Sequence, residues 1–363
     1  MFSCAFSSAH TEGLPSAGHH ALKLIPTFEQ IMENRSHLSQ ERPPKELIIV
    51  FAFESYTMNP VEMVFLGTAS AAPTETRNLA SMAIRAEGEW LLFDCPEGAQ
   101  QQMLRGNVSY MKIQHIFLTH LHLDHVLGIP GLIATMQMHA RIHPLYIYCP
   151  LNWKKKLVQI LNLAPKTDFE VIIKEVTRGN VYTTPDFRVS TVPVKHEIDC
   201  NAYIFEQTGK RGEFQRKKAL ELKIPEGPLW AKLTKGEKVK VDGKTVSPEQ
   251  VMDYSKSKPG IKISYVVDTR PVKTYYSAIA NSTVLIHEAT FLEKERERAK
   301  ETGHSTAQQA GKIASETNAQ QLYLTHFSAR QKNLEPVENE ARLEFGNVSC
   351  ARDLEKITLK SED

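Results

Sequence analysis

The sequence lacks the long apolar runs, paired cysteines and one-sided charge that would assign it quickly to a class of protein. Apolar stretches such as 47–53 are far shorter than the ~20 residues of a membrane-spanning helix, so we expect no membrane segment. The five cysteines form no Cys-x-x-Cys pair, which argues against a disulfide framework and predicts a reducing, cytoplasmic location. The 44 Lys and Arg nearly balance the 42 Asp and Glu, so whole-chain charge indicates no partner.

What the sequence does contain is a globular balance, with 41% hydrophobic residues in a chain of 363, but the two ends differ. Residues 1–60 show no sustained period and are predicted to be a disordered or non-native extension, apart from a potential strand at 47–53. From Val61 onwards, apolar runs of strand length alternate with helical patterns. We therefore predict one domain over 61–363, of mixed α and β structure with two or more sheets.

The most informative segment follows a predicted strand and reads Thr119-His120-Leu121-His122-Leu123-Asp124-His125. Imidazole and carboxylate groups are the ligands that hold Zn²⁺ and similar divalent ions. His120 and His122 project to one side of an extended loop, whereas Asp124 and His125 follow at a turn. One loop can thus supply two ligands to each of two metals. The alternative is a polar loop that binds no metal.

Further ligands must come from elsewhere in the fold, because two-metal sites also need a bridging group. Three candidates, His196, Asp268 and His326, each follow a predicted strand. Taken singly, each is better explained as a cap or a surface group. Beside the cluster at 120–125, the three together predict the missing ligands.

A second local feature is the basic insert, residues 208–258, which has thirteen Lys or Arg against seven Asp or Glu. The rest of the chain has 31 against 35, so the small net charge hides a polarised molecule. Apolar residues follow no period here, and we expect the insert to bury little by itself. It is either a solvated charged excursion or a flexible arm that binds phosphates.

Motifs along the chain now point to a family. His120-Leu121-His122-Leu123-Asp124-His125 matches the H-x-H-x-D-H signature of the metallo-β-lactamase superfamily. The flanking motifs are Phe65-Leu66-Gly67-Thr68, Pro73-Thr74, Arg77-Asn78, Phe93-Asp94-Cys95, Glu97-Gly98, Pro130-Gly131, Asp268-Thr269-Arg270-Pro271, His287-Glu288-Ala289-Thr290-Phe291, Gly303-His304-Ser305-Thr306 and Thr325-His326-Phe327-Ser328. In order and spacing the chain resembles the short form of the ribonuclease Z family from Val61 to its end.

The resemblance implies a fold and a set of site residues. The fold would be a four-layer αββα sandwich of the α+β class, with ligands on loops at one edge. The ligands of the first Zn²⁺ would be His120, His122 and His196, those of the second Asp124, His125 and His326, and Asp268 would bridge both; Mn²⁺ is an alternative ion. Asp124 would also be the general base. His304 would protonate the leaving group, oriented and made more basic by Glu288. His115, His139, His143 and His287 would not be ligands.

The resemblance also implies a substrate and an assembly. The substrate would be precursor tRNA, whose 3′ trailer is removed next to the discriminator base. The basic insert would grip the tRNA through Lys217, Lys218, Gly227, Pro228, Lys232 and Lys235. Arg77 and Asn78 would lie in the loop facing the CCA end. The family is usually a homodimer in which one subunit's arm serves the other's active site.

Two other classes of function remain open at this stage. A hydrolase of a small phosphodiester, thioester or lactone would use the same ligands, but it leaves the basic insert unexplained, as well as Glu288 with His304. A non-enzymatic RNA-binding or scaffold protein with a decayed site is disfavoured, because all seven ligands are present.

Overall fold

The structure, a computed structural model, describes residues 59–361. The extension over 1–60 and its strand at 47–53 therefore lie outside the described residues, except for positions 59 and 60. In the described range the strands are β1 Val61–Gly67, β2 Ser81–Ala86, β3 Glu89–Phe93, β4 Ile113–Phe117, β5 Leu145–Pro150, β6 Val171–Val176, β7 Gly179–Thr183, β8 Phe187–Val194, β9 Cys200–Gln207, β10 Glu213–Phe214, β11 Val239–Val241, β12 Lys244–Val246, β13 Met252–Asp253, β14 Lys262–Val266, β15 Val284–Glu288, β16 Gln321–Thr325, β17 Val348–Cys350 and β18 Lys356–Leu359.

Most α-helices are short, and they lie between strands. They are α1 Ala99–Arg105, α2 Leu123–Val126, α3 Gly128–Met138, α4 Lys154–Leu161, α5 Arg216–Glu221, α6 Pro228–Thr234, α7 Tyr276–Ile279, α8 Arg296–Glu301, α9 Ala307–Glu316 and α10 Glu335–Arg342. Short 3₁₀ turns occupy Tyr110–Lys112, Pro248–Gln250, Tyr254–Lys256, Lys273–Tyr275 and Glu293–Glu295. No helix within 59–361 combines the length and the apolar character needed to cross a membrane.

The strands form two seven-stranded sheets, in the orders β18-β1-β2-β3-β4-β5-β6 and β17-β16-β15-β14-β9-β8-β7. Alternate side chains of β1 point to opposite faces. Val61, Met63 and Phe65 enter the core between the sheets, which also contains Phe205 and Ile263 of the second sheet. Because both faces of the sheets are covered, strands such as β1 are apolar at almost every position.

Helices cover the outer face of each sheet. On the first sheet, Met103 of α1 and Leu132 of α3 share a core with Val64. On the second sheet, Ile313 of α9 and Val337 of α10 pack against the sheet. Helix, sheet, sheet and helix thus form four layers, and the predicted αββα sandwich is confirmed.

Strand direction brings the candidate ligands to one edge. Strands β14, β15 and β16 are mutually parallel, so their carboxyl ends meet at the same side. Strand β8 is antiparallel to β9, and β9 is antiparallel to β14, so the carboxyl end of β8 lies there too. His196, Asp268 and His326 follow these ends, and the loop after β4 faces them across the sandwich, with Asn201 N–H donating to Thr119 O at 2.9 Å.

The basic insert has a small core of its own, so the expectation that it buries little is wrong. Trp230 and Leu233 of α6 are buried together with Ala219, Ile224, Val239, Val246 and Val251. The Trp230 indole N–H donates to Ile224 O at 3.1 Å. These apolar residues come from several short elements, none long enough to show a hydrophobic period. They form a core only when the short elements pack together.

Three edge strands, β7, β17 and β18, were not predicted from the sequence. Strand β7 is at most half-buried, and β18 alternates between exposed and half-buried positions. Strand β18 completes the first sheet by pairing with β1, for example Ile357 with Met63. Edge strands of this kind have little apolar signal, and a pairing across nearly the whole chain leaves none in the local sequence.

Candidate metal centre

The first group of predicted ligands converges from two loops. His120 and His122 follow β4, and His196 follows β8. The Nδ1 atom of His122 lies 2.9 Å from Nε2 of His120 and 3.4 Å from Nε2 of His196. One ring nitrogen from each residue falls within a single small volume, as binding of one ion requires.

The second group joins the turn of α2 to the end of β16. Asp124, His125 and His326 each place a ligand atom within 4.8 Å of the others. Asp268 lies between the two groups, with Oδ2 at 3.3 Å from His125 Nε2 and 3.1 Å from His326 Nε2. Its other oxygen lies 3.9 Å from Nε2 of His196. The structure thus brings all seven predicted ligands together; we call these seven residues the metal centre.

Three buried atoms of the metal centre lack a hydrogen-bond partner among the described residues: His125 Nε2, Asp268 Oδ2 and His326 Nε2. All three belong to side chains that are almost fully buried. Leaving such atoms unpaired is costly unless something else satisfies them. They face one another and form an N and O donor set, so the residues fit a divalent cation.

Hydrogen bonds from behind hold the ligands in orientation. The fully buried Asp94, directly after β3, accepts from Thr119 N–H at 2.8 Å. It also accepts from His125 Nδ1 at 2.9 Å, which turns the other nitrogen of His125 towards Asp268. Asp94 lies within the motif Phe93-Asp94-Cys95, but no role was predicted for it from the sequence. Like Asp268, it follows a buried strand, and this position in the sequence could have identified it as a candidate site residue.

Thr290 is a second supporting residue that the sequence reasoning missed. Its hydroxyl lies 2.7 Å from Glu288 Oε2 and 3.0 Å from His326 Nδ1. With the hydroxyl donating to the carboxylate, its oxygen accepts the Nδ1 proton of His326. That tautomer leaves Nε2 of His326 as a lone-pair donor towards Asp268. No local sequence pattern distinguishes this threonine from an ordinary core residue.

Glu288 also contacts His304. Nδ1 of His304 lies 3.1 Å from Glu288 Oε1. Glu288 is fully buried, and backbone N–H groups of Thr269 and Ser305 donate to its two oxygens at 2.6 and 3.0 Å. The remaining nitrogen of His304, Nε2, is therefore the one available to a substrate in the cleft.

The electrostatics of this pair favour a charged imidazole. Burial opposes a charge on His304, but the adjacent Glu288 carboxylate outweighs it and raises the pKa of His304 to about 9. Burial likewise disfavours ionised Glu288, but His304 and nearby hydrogen bonds hold its pKa at about 2. His304 can thus donate a proton near neutral pH.

Burial acts differently on the ligands themselves. It lowers the pKa of His120 and of His196, which keeps both imidazoles in the neutral form that binds metals. It raises the pKa of Asp268 to about 7, although His125 opposes the shift. Burial therefore outweighs the charge compensation that neighbouring imidazoles such as His125 give this carboxylate, and a bound cation would provide more.

Three residues at strand ends have left-handed backbone conformations. Asp94, Asp268 and His326 have φ angles of 56°, 52° and 59°. Residues other than glycine rarely adopt this region, and it is found at sites where surrounding structure enforces it. The turn of the backbone directs each of these side chains towards the metal centre or its support.

The metal centre opens into a cleft of about 220 Å³. Asp124, His196, Asp268 and His304 line it, together with Ser70, Ala71, His122, Glu197, Thr302 and His326. Asp124 Oδ2 accepts from Ala71 N–H at 3.1 Å, so this carboxylate is fixed at the cleft wall. Glu197 was not predicted as a site residue, and no motif marks it.

The predicted CCA-side loop residues use their polar groups within the protein. Arg77 Nη2 donates to Gln331 O at 2.9 Å and to Ser328 O at 3.3 Å. Asn78 Nδ2 donates to Glu97 O at 3.3 Å. These contacts join the loop after β1 to the segment just before α1 and to the loop after β16. Neither Arg77 nor Asn78 lines the cleft.

The histidines expected not to be ligands are absent from the candidate ligand groups of the described chain. His287 is buried between the Tyr275 hydroxyl, 3.1 Å from Nε2, and Glu288 O, 2.8 Å from Nδ1. His115 is buried against Tyr182, with ring centroids 3.8 Å apart. His139 and His143 are exposed.

The residues predicted to grip RNA lie on the surface of the basic insert. Lys217, Lys218, Pro228, Lys232 and Lys235 are exposed, and Gly227 is half-buried. Gly227 has φ 122° and precedes Pro228, which is the first residue of α6. The Gly-Pro pair therefore also starts a helix, because glycine allows that φ and proline suits the first helical position.

Comparisons with known proteins agree with this geometry. The chain is 39% identical over 304 residues to Ribonuclease Z of Methanothermobacter thermautotrophicus, covering 84% of this chain and 98% of that protein. It is 40% identical over 304 residues to Ribonuclease Z of Gemmatimonas aurantiaca, covering 83% and 96%. A family model described as Anti-Pycsar protein Apyc1 matches residues 61–204, less than half of the chain.

Solved structures show the same fold. The crystal structure of human tRNase Z, short form, matches with a TM-score of 0.58 and 25% identity, covering 82% of this chain and 98% of that one. The metallo-β-lactamase fold protein YhfI of Bacillus subtilis matches with a TM-score of 0.59 and 19% identity, covering 82% and 99%.

The sandwich and its edge of histidines and aspartates define a hydrolase with the metallo-β-lactamase fold. Within that class the chain belongs to the ribonuclease Z family. The resemblance inferred from the motifs is confirmed.

Proposed function

We propose that this protein is an endoribonuclease that removes the 3′ trailer from precursor tRNA next to the discriminator base. The cut would leave a 3′-hydroxyl on the tRNA and a 5′-phosphate on the trailer. The observation that supports this most strongly is the convergence of seven N and O donors beside the pair of His304 and Glu288. A small-molecule hydrolase needs the first feature but not the second.

Two ions, Zn²⁺ or alternatively Mn²⁺, would be held by the two ligand groups. His120, His122 and His196 would bind one ion, and Asp124, His125 and His326 the other, with Asp268 reaching both. When bound, such ions polarise a phosphodiester and make water more acidic. Asp124 would accept the proton of the attacking water, since it lines the cleft and Ala71 fixes its orientation.

His304 would donate a proton to the departing 3′ oxygen of the tRNA. An alkoxide is a poor leaving group, so a positioned acid accelerates the cut. Glu288 supports this role because it binds Nδ1 of His304 and leaves Nε2 for the substrate. Cleavage then yields the two ends stated above, because the oxygen that leaves remains on the tRNA.

The basic insert would bind the tRNA body. Its exposed lysines surround a folded core, which suits recognition of an RNA helix by phosphates and shape. The insert begins after β9, whose eight residues span roughly 25 Å away from the edge that bears the metal centre. That separation suits a homodimer in which the insert of one subunit serves the metal centre of its partner.

A reducing location such as the cytoplasm fits this role. Cys95, Cys149 and Cys200 are buried free thiols, and Cys350 is a half-buried one. Burial raises the pKa of these thiols, so they are kept protonated and behave as small apolar side chains.

Precursor tRNA with a 3′ trailer, incubated with purified protein with and without chelator, tests the proposal. We expect one cut next to the discriminator base, abolished by chelator and restored by Zn²⁺ or Mn²⁺, with about two metal ions per chain by elemental analysis. Hydrolysis of bis(p-nitrophenyl) phosphate without any cut in the tRNA would refute the substrate assignment. It would favour the alternative, a hydrolase of a small phosphodiester, thioester or lactone.

A further inference from the structure

The cleft over the metal centre continues into a second hollow that the roles above do not use. His196 and Glu197 line both the cleft of about 220 Å³ and this neighbouring hollow of about 340 Å³. The second hollow lies between the loop after β5, which includes Asn152, and the loop after β8, which includes Asp199. It thus leads from the metal centre towards α4.

A third hollow, of about 480 Å³, extends the path. It shares Asn152 and Asp199 with the second hollow, and its walls include Trp153, Lys155 and Lys156 at the start of α4. The three spaces therefore form one series that begins at the metal ligands and ends at a run of lysines. We call the second and third hollows together the α4 groove.

The far end of the α4 groove is positively charged. Lys154, Lys155 and Lys156 are all exposed. Lys156 Nζ lies 4.9 Å from the centroid of the Trp153 ring. Within residues 59–361, no ion pair joins these three lysines to a carboxylate.

Two carboxylates near the α4 groove accept hydrogen bonds, whereas a third, Glu197, lines the second hollow at the end that faces the metal centre. Asp199 Oδ2 accepts from the Trp153 indole N–H at 3.3 Å, and Glu175 Oε1 accepts from Lys154 N–H at 3.1 Å. The lysine ammonium groups remain available to an anion. Lys195, also exposed, adds one more positive charge beside the second hollow.

We propose that the α4 groove binds the single-stranded 3′ trailer of the RNA substrate, an inference that rests on the proposed function. The second hollow would receive the first nucleotides beyond the cut, and the lysines of α4 would contact later phosphates. Lysines beside an aromatic wall are typical of surfaces that bind single strands without reading their sequence. Small successive hollows suit one strand, whereas a duplex is too broad to enter them.

The double variant K155A/K156A tests this inference with two substrates, one carrying a trailer of one nucleotide and the other a trailer of ten. A one-nucleotide trailer ends before the third hollow, so its kcat/KM should not change. For the longer trailer we expect kcat/KM to fall about tenfold, and the slope of log affinity against log salt to fall by about 1.4, since each lost single-strand phosphate contact contributes about 0.7.

A matched control is K273A/K312A, which removes two exposed lysines that pair with Glu316 on the outside of the second sheet. It should behave as wild type with both trailers. An equal loss by K155A/K156A on both trailers would overturn the proposal, as would weaker binding of mature tRNA, because the lysines would then contact the tRNA body.

Direct binding of a ten-nucleotide single-stranded RNA, followed by fluorescence anisotropy, separates this inference from the proposed function. In one outcome, wild type binds the oligonucleotide but cuts no precursor tRNA, while K155A/K156A does not bind the oligonucleotide. That result would support single-strand binding by the α4 groove and refute the proposed function. Equal binding of the oligonucleotide by wild type and K155A/K156A overturns the α4 groove, whatever the cleavage result.

Discussion

The metal centre and the basic insert both concentrate polar side chains, but they place them in opposite ways. In the metal centre, most of the ligands are buried, and neighbours such as Asp94 and Thr290 fix their orientation. In the basic insert, charges such as Lys217 and Lys232 are exposed around a small apolar core. Interactions of buried charges depend on the orientation of their partners, so substitution of one partner has a large effect. Interactions of exposed charges with a ligand add up and are screened by salt. Chemistry and binding should therefore be separable by mutation.

The sharpest way to test that separation is H304A, for which we expect the largest effect. Loss of a general acid should lower kcat on precursor tRNA by about 10²–10⁴-fold. Hydrolysis of bis(p-nitrophenyl) phosphate should change little, because its leaving group needs no proton. H139A, at an exposed histidine, is the control. If H304A loses bound metal, His304 is a ligand and the assignment is wrong.

Removal of the basic insert should have the next largest effect, and on binding alone. Lys210 and Lys258 pair as an antiparallel bridge, so residues 211–257 can be replaced by an Asn-Gly turn. Cleavage of precursor tRNA should fall by on the order of 10²-fold as phosphate contacts are lost. Turnover of bis(p-nitrophenyl) phosphate and metal content should persist. A parallel fall in both substrates would mean that the insert supports the metal centre after all.

T290V addresses the support of one ligand and should have an intermediate effect. Valine keeps the shape but removes the hydroxyl that joins His326 to Glu288. We expect Zn²⁺ affinity at the site formed by Asp124, His125 and His326 to fall about 10–100-fold, measured by competition with a chromophoric chelator. T290S should restore it. If serine fails as badly as valine, the residue acts through packing alone.

The smallest effect is expected for K232A, a single exposed charge on the basic insert. Binding of mature tRNA should weaken slightly, and the slope of log affinity against log salt should decrease by about 1. Filter binding at several salt concentrations measures this, with K312A as a control of equal charge. An unchanged slope would show that Lys232 does not contact a phosphate.

The sequence predicted the metal centre better than its support. His120 to His125 lie in one segment, so their clustering is visible without a fold. His196, Asp268 and His326 could be proposed because each follows an apolar run. Asp94 and Thr290 could not, because their roles depend on which residues lie opposite them after the strands assemble.

The basic insert shows the converse limit. The excess of Lys and Arg is visible in the sequence. The small core is not, because Ala219, Trp230 and Val251 come from separate short elements. A hydrophobic period needs a long helix or strand to become visible. Edge strand β18 was missed for a related reason, as its partner β1 lies at the other end of the described chain.

By itself, the sequence determined the class of chemistry, because ligand type and spacing follow from which residues are adjacent in the chain. It also determined the sandwich, through runs of strand and helix length and the family motifs that accompany them. The tertiary structure alone decided which nitrogen of His125 or His326 faces Asp268 and which carboxylate holds His304. It also decided that the cleft continues towards α4. Orientation and continuity are properties of side chains brought together from distant strands, and no local pattern records them.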